Sequence, residues 1–260
     1  MINFVGAGSG AVDLITVRGM NHLKEADCVV YAGSLVNPEL LKYCKPDVEI
    51  FNSATMDFDE VMEILISRDR QGKKVVRLHT GDPALYGSIG EQIKELDANE
   101  INYDVTPGVT AAFAAAATCN MEMTLPGISQ TVILSRTEGR TPMPEKESIE
   151  NLAKTGATLC IYLSATRVEK LQEDLLKGGL KENTPVAICY KVSWPEEKII
   201  YSTIAKMVDD TKKENLTLTT LFIIGQCVNP KDFDRSKLYS SDFSTCYRSA
   251  KTNTDSHVVK

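Results

Sequence analysis

Paired cysteines, histidine clusters, long apolar runs and an excess of positive charge are all missing from this 260-residue sequence. The seven cysteines (Cys28, Cys44, Cys119, Cys160, Cys189, Cys227 and Cys246) are scattered, with no CxxC pair among them. That spacing argues against a disulfide framework and against a zinc site. With His22, His79 and His257 as the only histidines, a histidine-rich metal centre is not expected, and the expectation is no metal. Several cysteines sit inside apolar, strand-like runs (CVVYAG, TLCIYL, VAICY), where a thiol behaves as a small buried hydrophobe. No stretch approaches the ~20 apolar residues of a membrane span. MINFVGAGSG reads as a strand entering a turn, not as a basic leader with an apolar centre, so the expected location is the cytoplasm.

Lys and Arg number 29 against 35 Asp and Glu, a formal net charge of −6. Phosphate backbones attract clustered cations, so a nucleic-acid partner is not expected. A small anion held by a few local arginines remains compatible with that balance. The chain is 43% hydrophobic and 25% charged, enough to build an ordinary globular core. Its length suits one large domain or two of usual size.

Short β-branched runs alternate with helical patterns throughout. The first half reads as strand INFVGA, a helix over about 14–26, strand CVVYAG, a short helix after Pro38 and strand VEIFN. Helix 58–71, strand VVRLHT, helix 87–98, strand YDVT and an Ala-rich helix over 110–119 follow. Asp57 followed by Glu60 resembles a capping box, and Gly72 is placed to end that helix. Five strands joined by helices predict a parallel α/β sheet that binds ligands at the strands' carboxyl ends. The pattern then restarts with strand TVILSRT, a polar loop, helix 145–155, strand TLCIYLSA and helix 167–177. PVAICYKV and KIIYSTI flank Trp194-Pro195 as an expected antiparallel pair, followed by a helix near 204–214 and strand TLTTLFIIGQ. The expected fold is α/β in two domains: residues 1–122 with a parallel five-stranded sheet, and 123–235 with a mixed sheet. Pro126-Gly127 marks the break, and 236–260 reads as a polar tail.

Three glycine-bearing loops each follow a predicted strand. Gly6, Gly8 and Gly10 fall within five residues and allow close backbone approach to a ligand, although a plain strand-to-helix turn has the same signature. The loop also fits a loose GxGxxA dinucleotide fingerprint. That fingerprint needs an acidic residue at the end of the second strand, where this chain has Tyr31-Ala32-Gly33. The second loop, His79-Thr80-Gly81-Asp82-Pro83, is a strong turn signal. Asp82 either caps that turn or faces a positively charged ligand. In the third loop, Thr106-Pro107-Gly108-Val109-Thr110, the threonine Thr110 is a sufficient N-cap for the Ala-rich helix.

Taken in order, VGAGSGAVDLITVRG, TGDPALYGS and YDVTPGVTAAFAAA resemble the tetrapyrrole (corrin and porphyrin) methylases, whose pattern runs GxGxGdpdLiTvrg, GDPxxyG and vxPGvtaa. SQTVILSRTEGRTPMPE, IYLSA, PVAICYKVSWPEEK and TTLFIIG extend the resemblance over about 2–235. Within that family, AGSLVNPELL, SRTEGRTPMPE and YKVSWPEE are most similar to members that methylate carbon 11 of a precorrin-4-type ring. The resemblance implies S-adenosyl-L-methionine bound between the two domains, S-adenosyl-L-homocysteine as product, a tetrapyrrole substrate and a homodimer. Carried over residue by residue, cofactor contacts fall on Thr80, Gly81, Asp82, Leu85, Thr110 and Ala111, then on Leu163, Ala187, Val192 and Thr220. Ordinary strand core is an equal reading of Leu163 and Ala187.

The first loop departs from the family, with Ser9-Gly10-Ala11-Val12 where Pro-Gly-Asp-Pro is usual. Losing two prolines predicts a more flexible loop. Methyl transfer from a sulfonium needs alignment of donor and acceptor and no nucleophile–base triad, so no catalytic residue is assigned. A carboxylate-rich substrate needs basic partners, for which Arg136 and Arg140 come first, then Lys191 and Arg18. Other readings share these motifs: a methylase of uroporphyrinogen, another precorrin, diphthine or ribosomal RNA, or an S-adenosylmethionine-binding protein without activity.

Overall fold

The computed structural model describes residues 1–251, which form two five-stranded sheets flanked by helices. In the first half, β1 (Ile2–Gly6), α1 (Val17–Glu25), β2 (Cys28–Tyr31) and β3 (Glu49–Asn52) come first in sequence. Then follow α2 (Phe58–Arg70), β4 (Val75–His79), α3 (Ile89–Ala98), β5 (Tyr103–Thr106) and α4 (Ala111–Thr118). All five strands are parallel, in the order β3-β2-β4-β1-β5. Because β4 inserts between β2 and β1, the loops leaving β1, β4 and β5 emerge side by side at the carboxyl edge. That is the position where open α/β sheets bind ligands.

Local chemistry explains several boundaries. Asp57 and Glu60 exchange backbone N–H bonds at 2.9 Å each, the capping box read from sequence. Gly72 follows α2 with φ +74°, the left-handed conformation that lets the chain leave the helix. Two expected helices are shorter or split: 14–26 becomes a 3-10 turn at Val12–Leu14 and then α1, which starts at the Thr16 cap. Segment 145–155 divides where Ser148 caps a new helix.

The second half contains β6 (Val132–Arg136), α5 (Ile149–Ala153), β7 (Thr158–Tyr162), α6 (Val168–Lys177) and β8 (Pro185–Tyr190). It continues with β9 (Lys198–Thr203), α7 (Met207–Lys213) and β10 (Thr220–Ile224). The order is β6-β7-β10-β8-β9, with β6 and β7 parallel and the remaining pairs antiparallel. The expected β8–β9 hairpin and mixed sheet are both present. Cys28, Cys160 and Cys189 are buried in β2, β7 and β8, as their apolar surroundings implied. Of the expected polar tail, 236–251 is exposed or half-buried, its 3-10 turn at Lys237–Tyr239 included, and 252–260 lie outside the described residues.

One face of the second sheet is covered by α5, α6 and α7, with Leu159, Leu171, Ile188 and Phe222 at its centre. The other face is covered by α4, the last helix of the first half. Ala112 and Ala115 on α4 pack against Cys160, Ala187, Cys189, Leu221 and Ile223. Alanine at these positions lets the helix axis approach the strands closely, and there is no room there for a larger side chain. Enlarging a buried α4 alanine, Ala115→Leu, is expected to cost about 1–3 kcal/mol through overpacking. The exposed Ala117→Leu is expected to stay within about 0.5 kcal/mol. Denaturant unfolding of both variants checks the contrast; equal effects would show that α4 does not depend on close approach.

Candidate active site

The three glycine loops meet at their backbones. A Cβ on Gly6 would lie 2.6 Å from the Gly108 Cα, and one on Gly108 would lie 2.1 Å from the Gly81 carbonyl oxygen. Both distances are far inside van der Waals contact, so glycine is the only residue type that fits. Gly8 and Gly81 exchange N–H···O bonds of 3.2 and 2.8 Å, which ties the first loop to the second. Asp82 ties the second loop to the third: Oδ2 accepts from the Gly108 N–H at 2.9 Å, while Oδ1 accepts from the Ala84 N–H at 2.8 Å. The carboxylate therefore both caps its own turn and stands at the wall of a ligand cavity.

The first loop is tied down, contrary to the flexibility expected of a segment without its prolines. The Trp194 indole donates to the Ser9 carbonyl at 3.0 Å, and Ser9 Oγ lies 2.8 Å from Ser193 Oγ. The Ala11 N–H donates to Ser193 Oγ at 3.0 Å, and Asn37 donates to the Gly10 carbonyl at 2.8 Å. Gly10 lies so close under the indole that a Cβ there would come within 2.2 Å of the ring. Ser193 and Trp194 belong to the β8–β9 connection, so the second half supplies the restraint that the loop's own sequence lacks.

Thr110 occupies the N-cap position of α4 without making the cap. Its hydroxyl bonds to the Tyr162 phenol at 2.8 Å, and that phenol accepts from the Ala112 N–H at 2.9 Å. Tyr162, at the end of β7, thus caps a helix of the other half. Burial, partly offset by these bonds, raises the Tyr162 phenol above its ordinary range, so it is neutral at physiological pH.

Between the halves lies a cavity of about 560 Å³. Thr80, Gly81, Asp82, Leu85, Thr110 and Ala111 line it from the first half, and Leu163, Val192 and Thr220 from the second. Gly81, Tyr86, Ser88, Leu163 and Thr219, all on its wall, have φ between +50° and +59°. Left-handed backbone at non-glycine residues gathers at sites where the surroundings over-determine a ligand-binding shape. Leu163 is 63% exposed, at the end of β7 instead of inside it. Ala187 is fully buried beneath α4 and does not reach the cavity wall, so strand core describes it.

None of the four basic residues singled out from sequence lines the cavity. Arg136 donates to the carbonyls of Thr141 and Pro142 at 3.2 and 3.0 Å, closing its own loop near the mouth, where its charge acts on Tyr86. Arg140 and Arg18 are exposed. Lys191 pairs with Glu196 at 3.6 Å and lies over the rings of Tyr190 and Trp194. Ser9, the first residue of the segment that departs from the family pattern, lines the cavity.

Two buried groups on β4 also reach the cavity and were not singled out from sequence. Arg77 is 8% exposed and His79 4% exposed, inside a run that reads as plain sheet core. An arginine in an otherwise apolar strand was the available signal, since a buried charge requires a function or a partner. The His79 ring lies 5.9 Å from Phe4, and its Nε2 finds no hydrogen-bond partner among the described residues. Burial, and secondarily the Arg77 charge, push His79 from its ordinary 6.5 down to about 3. The folded chain thus refuses a proton that the unfolded chain binds between about 6.5 and 3. Stability contributed by the neutral ring is present above that window and is lost as pH falls through it. His79→Phe is expected to flatten the acid limb by up to about 1.4 kcal/mol per pH unit. Denaturant titrations across the window check this, and an unchanged slope would refute it.

The sequence matches the Tetrapyrrole (Corrin/Porphyrin) Methylases family over residues 1–208. It is 48% identical to the cobalt-precorrin-4 C(11)-methyltransferase of Methanocaldococcus jannaschii over 244 residues, 94% of each chain. It is 42% identical to the enzyme of that name from Priestia megaterium, covering 94% of this chain and 96% of that one. The X-ray structure of a cobalamin biosynthetic enzyme, cobalt precorrin-4 methyltransferase CbiF, superposes with a TM-score of 0.86 at 41% identity, covering 88% of this chain and 96% of that one. Uroporphyrin-III C-methyl transferase from Thermus thermophilus, solved with S-adenosyl homocysteine, shares the fold at 23% identity and a TM-score of 0.73, covering 88% and 93%. The three-loop glycine junction, the parallel and mixed sheets and these likenesses agree: the chain belongs to the tetrapyrrole (corrin/porphyrin) methylases.

Proposed function

We propose that this protein is an S-adenosyl-L-methionine-dependent C-methyltransferase of corrin biosynthesis that methylates carbon 11 of cobalt-precorrin-4. The observation that carries this reading is the cavity walled by both halves, together with 48% identity over nearly the whole chain to a relative bearing that activity. Relatives named precorrin-4 C(11)-methyltransferase, without cobalt, are less similar at 38% identity (Mycobacterium tuberculosis) and 39% identity (Pseudomonas aeruginosa). Similarity therefore favours the cobalt-bearing ring, and it favours catalysis over binding alone. A homodimer, as the resemblance implies, and a cytoplasmic location, as the N-terminal sequence suggests, complete the reading.

The cavity residues fit the donor. Gly81 has φ +59° and would carry any Cβ no closer than 3.6 Å to Thr110, so the loop offers open backbone where a ligand can lie. Leu85, Ala111, Leu163 and Val192 supply apolar wall, while Thr80, Asp82, Thr110 and Thr220 supply polar edges. S-adenosyl-L-methionine supplies an activated methyl group when bound. The chain's part is to orient and to exclude water. Asp82 holds the loops in register, and its negative charge favours a cationic ligand in a partly dry site. Tyr162 fixes the start of α4, so that Thr110 and Ala111 present a constant surface. Positioning of this kind contributes on the order of 7–11 kcal/mol in favourable cases, which is why no nucleophile or triad is needed. In this reading Arg140, exposed on the loop that Arg136 closes, is the basic residue left to meet an acidic arm of the tetrapyrrole.

Calorimetric titration with S-adenosyl-L-homocysteine is expected to give saturable binding, with NAD as a silent control. Incubation with S-adenosyl-L-methionine and cobalt-precorrin-4 is expected to give a product heavier by one CH2 unit (a methyl gained, a proton released), with the new methyl located at carbon 11 by NMR. Binding without turnover would leave an inactive binding protein, and methylation elsewhere on the ring would reassign the regiochemistry.

A further inference from the structure

Arg77 is a buried charge without a counterion. Its Nη1 donates to the Val30 carbonyl at 3.2 Å and to Ser53 Oγ at 3.1 Å, and its Nε donates to Gln92 Oε1 at 3.4 Å. Every one of these acceptors is neutral, and Arg77 enters no ion pair among the described residues. Burial pulls its pKa down only to about 10, so the guanidinium is still charged at neutral pH. Charges taken out of water are ordinarily paired or bound to a ligand, because hydrogen bonds to neutral groups offset only part of the desolvation cost. Nη2 has no acceptor among the described residues, and the side chain lines the cavity.

The surroundings repeat the same electrostatic preference. Two helices of 13 and 10 residues, α2 and α3, begin at this end of the cavity. The α2 start is already served by the Asp57 carboxylate through the capping box. The α3 start has no side-chain cap, since Ser88 adopts a left-handed conformation with its hydroxyl turned to no backbone N–H. An uncapped helix start directs partial positive charge outward. Glu91 lines the cavity nearby yet makes no bond to Arg77. A planar guanidinium with one free edge matches the two oxygens of a carboxylate.

We propose that Arg77, braced by Ser53 and Gln92 beside the open start of α3, binds one alkyl carboxylate inside the cavity. Resting on the methyltransferase reading above, that carboxylate comes either from the amino-acid end of the methyl donor or from an acidic arm of the tetrapyrrole. The test uses Arg77→Gln and Arg77→Lys in the full-length protein, with thermal melting as a check of folding. Each is titrated with S-adenosyl-L-homocysteine and with methylthioadenosine, which keeps the nucleoside and thioether and lacks the carboxylate. Steady-state kinetics with cobalt-precorrin-4 are measured alongside.

If the carboxylate is the donor's, Arg77→Gln weakens S-adenosyl-L-homocysteine about tenfold or more and leaves methylthioadenosine within about twofold. If it is the substrate's, both nucleosides bind as before, while KM for cobalt-precorrin-4 rises about tenfold and kcat changes less than about threefold. Arg77→Lys, which keeps the charge and loses the fork, recovers part of either loss. Equal weakening of both nucleosides, or no change in any quantity, overturns the proposal and leaves Arg77 as a brace for the Asn52–Asp57 segment. If the arginine variants do not fold, Ser53→Val crowds the same pocket with the guanidinium in place and is held to the same outcomes. If the wild-type protein neither binds the nucleosides nor methylates the ring, the methyltransferase reading fails on its own. Glutarate then becomes the reagent: saturable thermal stabilisation of wild type, absent in Arg77→Gln, sustains the carboxylate site, and no stabilisation overturns it.

Discussion

Everything at the ligand cavity depends on the approach of three backbones with no side chains between them. Gly6, Gly81 and Gly108 lie at the carboxyl ends of β1, β4 and β5, and any Cβ on Gly6 or Gly108 would overlap a neighbour's main chain. That contact is available because β4 inserts between β2 and β1, which brings three sequence-distant loops to one edge. Once the backbones touch, the loops share hydrogen bonds: Gly8 with Gly81, and Asp82 with Gly108. The peptide groups of three separate segments thereby become one rigid surface, the kind of preorganisation on which alignment of donor and acceptor relies.

The second dependency is α4. Its alanines pack on the second sheet, its start is capped by Tyr162 from β7, and its first residues line the cavity. One helix therefore fixes the spacing of the two halves and the position of the ligand wall together. A division of the chain at 122/123 falls just after this shared element, and α4 belongs to the first half by connection and to the second by packing.

The elements were legible in sequence because their periodicity and caps are local. Asp57, Glu60 and Gly72 act within one turn of α2, and nothing elsewhere in the chain can override them. The glycine loops were legible for the same reason, each following an apolar strand. What the sequence did not disclose depends on partners distant in the chain. The Tyr162 phenol displaces the expected Thr110 cap across 50 residues of sequence, and Trp194 steadies a loop 185 residues away. Arg77 escaped notice because its strand looks like ordinary core, and its meaning comes from Ser53, Gln92 and the cavity. Arg136 and Arg140 drew attention because a carboxylate-rich substrate needs basic partners, and the fold spends the first on its own loop.

The bonds that hold the first loop also act at a larger scale. Ser9, Gly10 and Ala11 belong to the first half, while Ser193 and Trp194 belong to the second. The indole bond to Ser9 and both bonds to the Ser193 hydroxyl therefore run from one half to the other. A loop stiffened by its own prolines would hold its shape whether the cleft were open or closed. Here the loop's order and the contact between the two halves rest on the same bonds, made by residues outside the glycine motif.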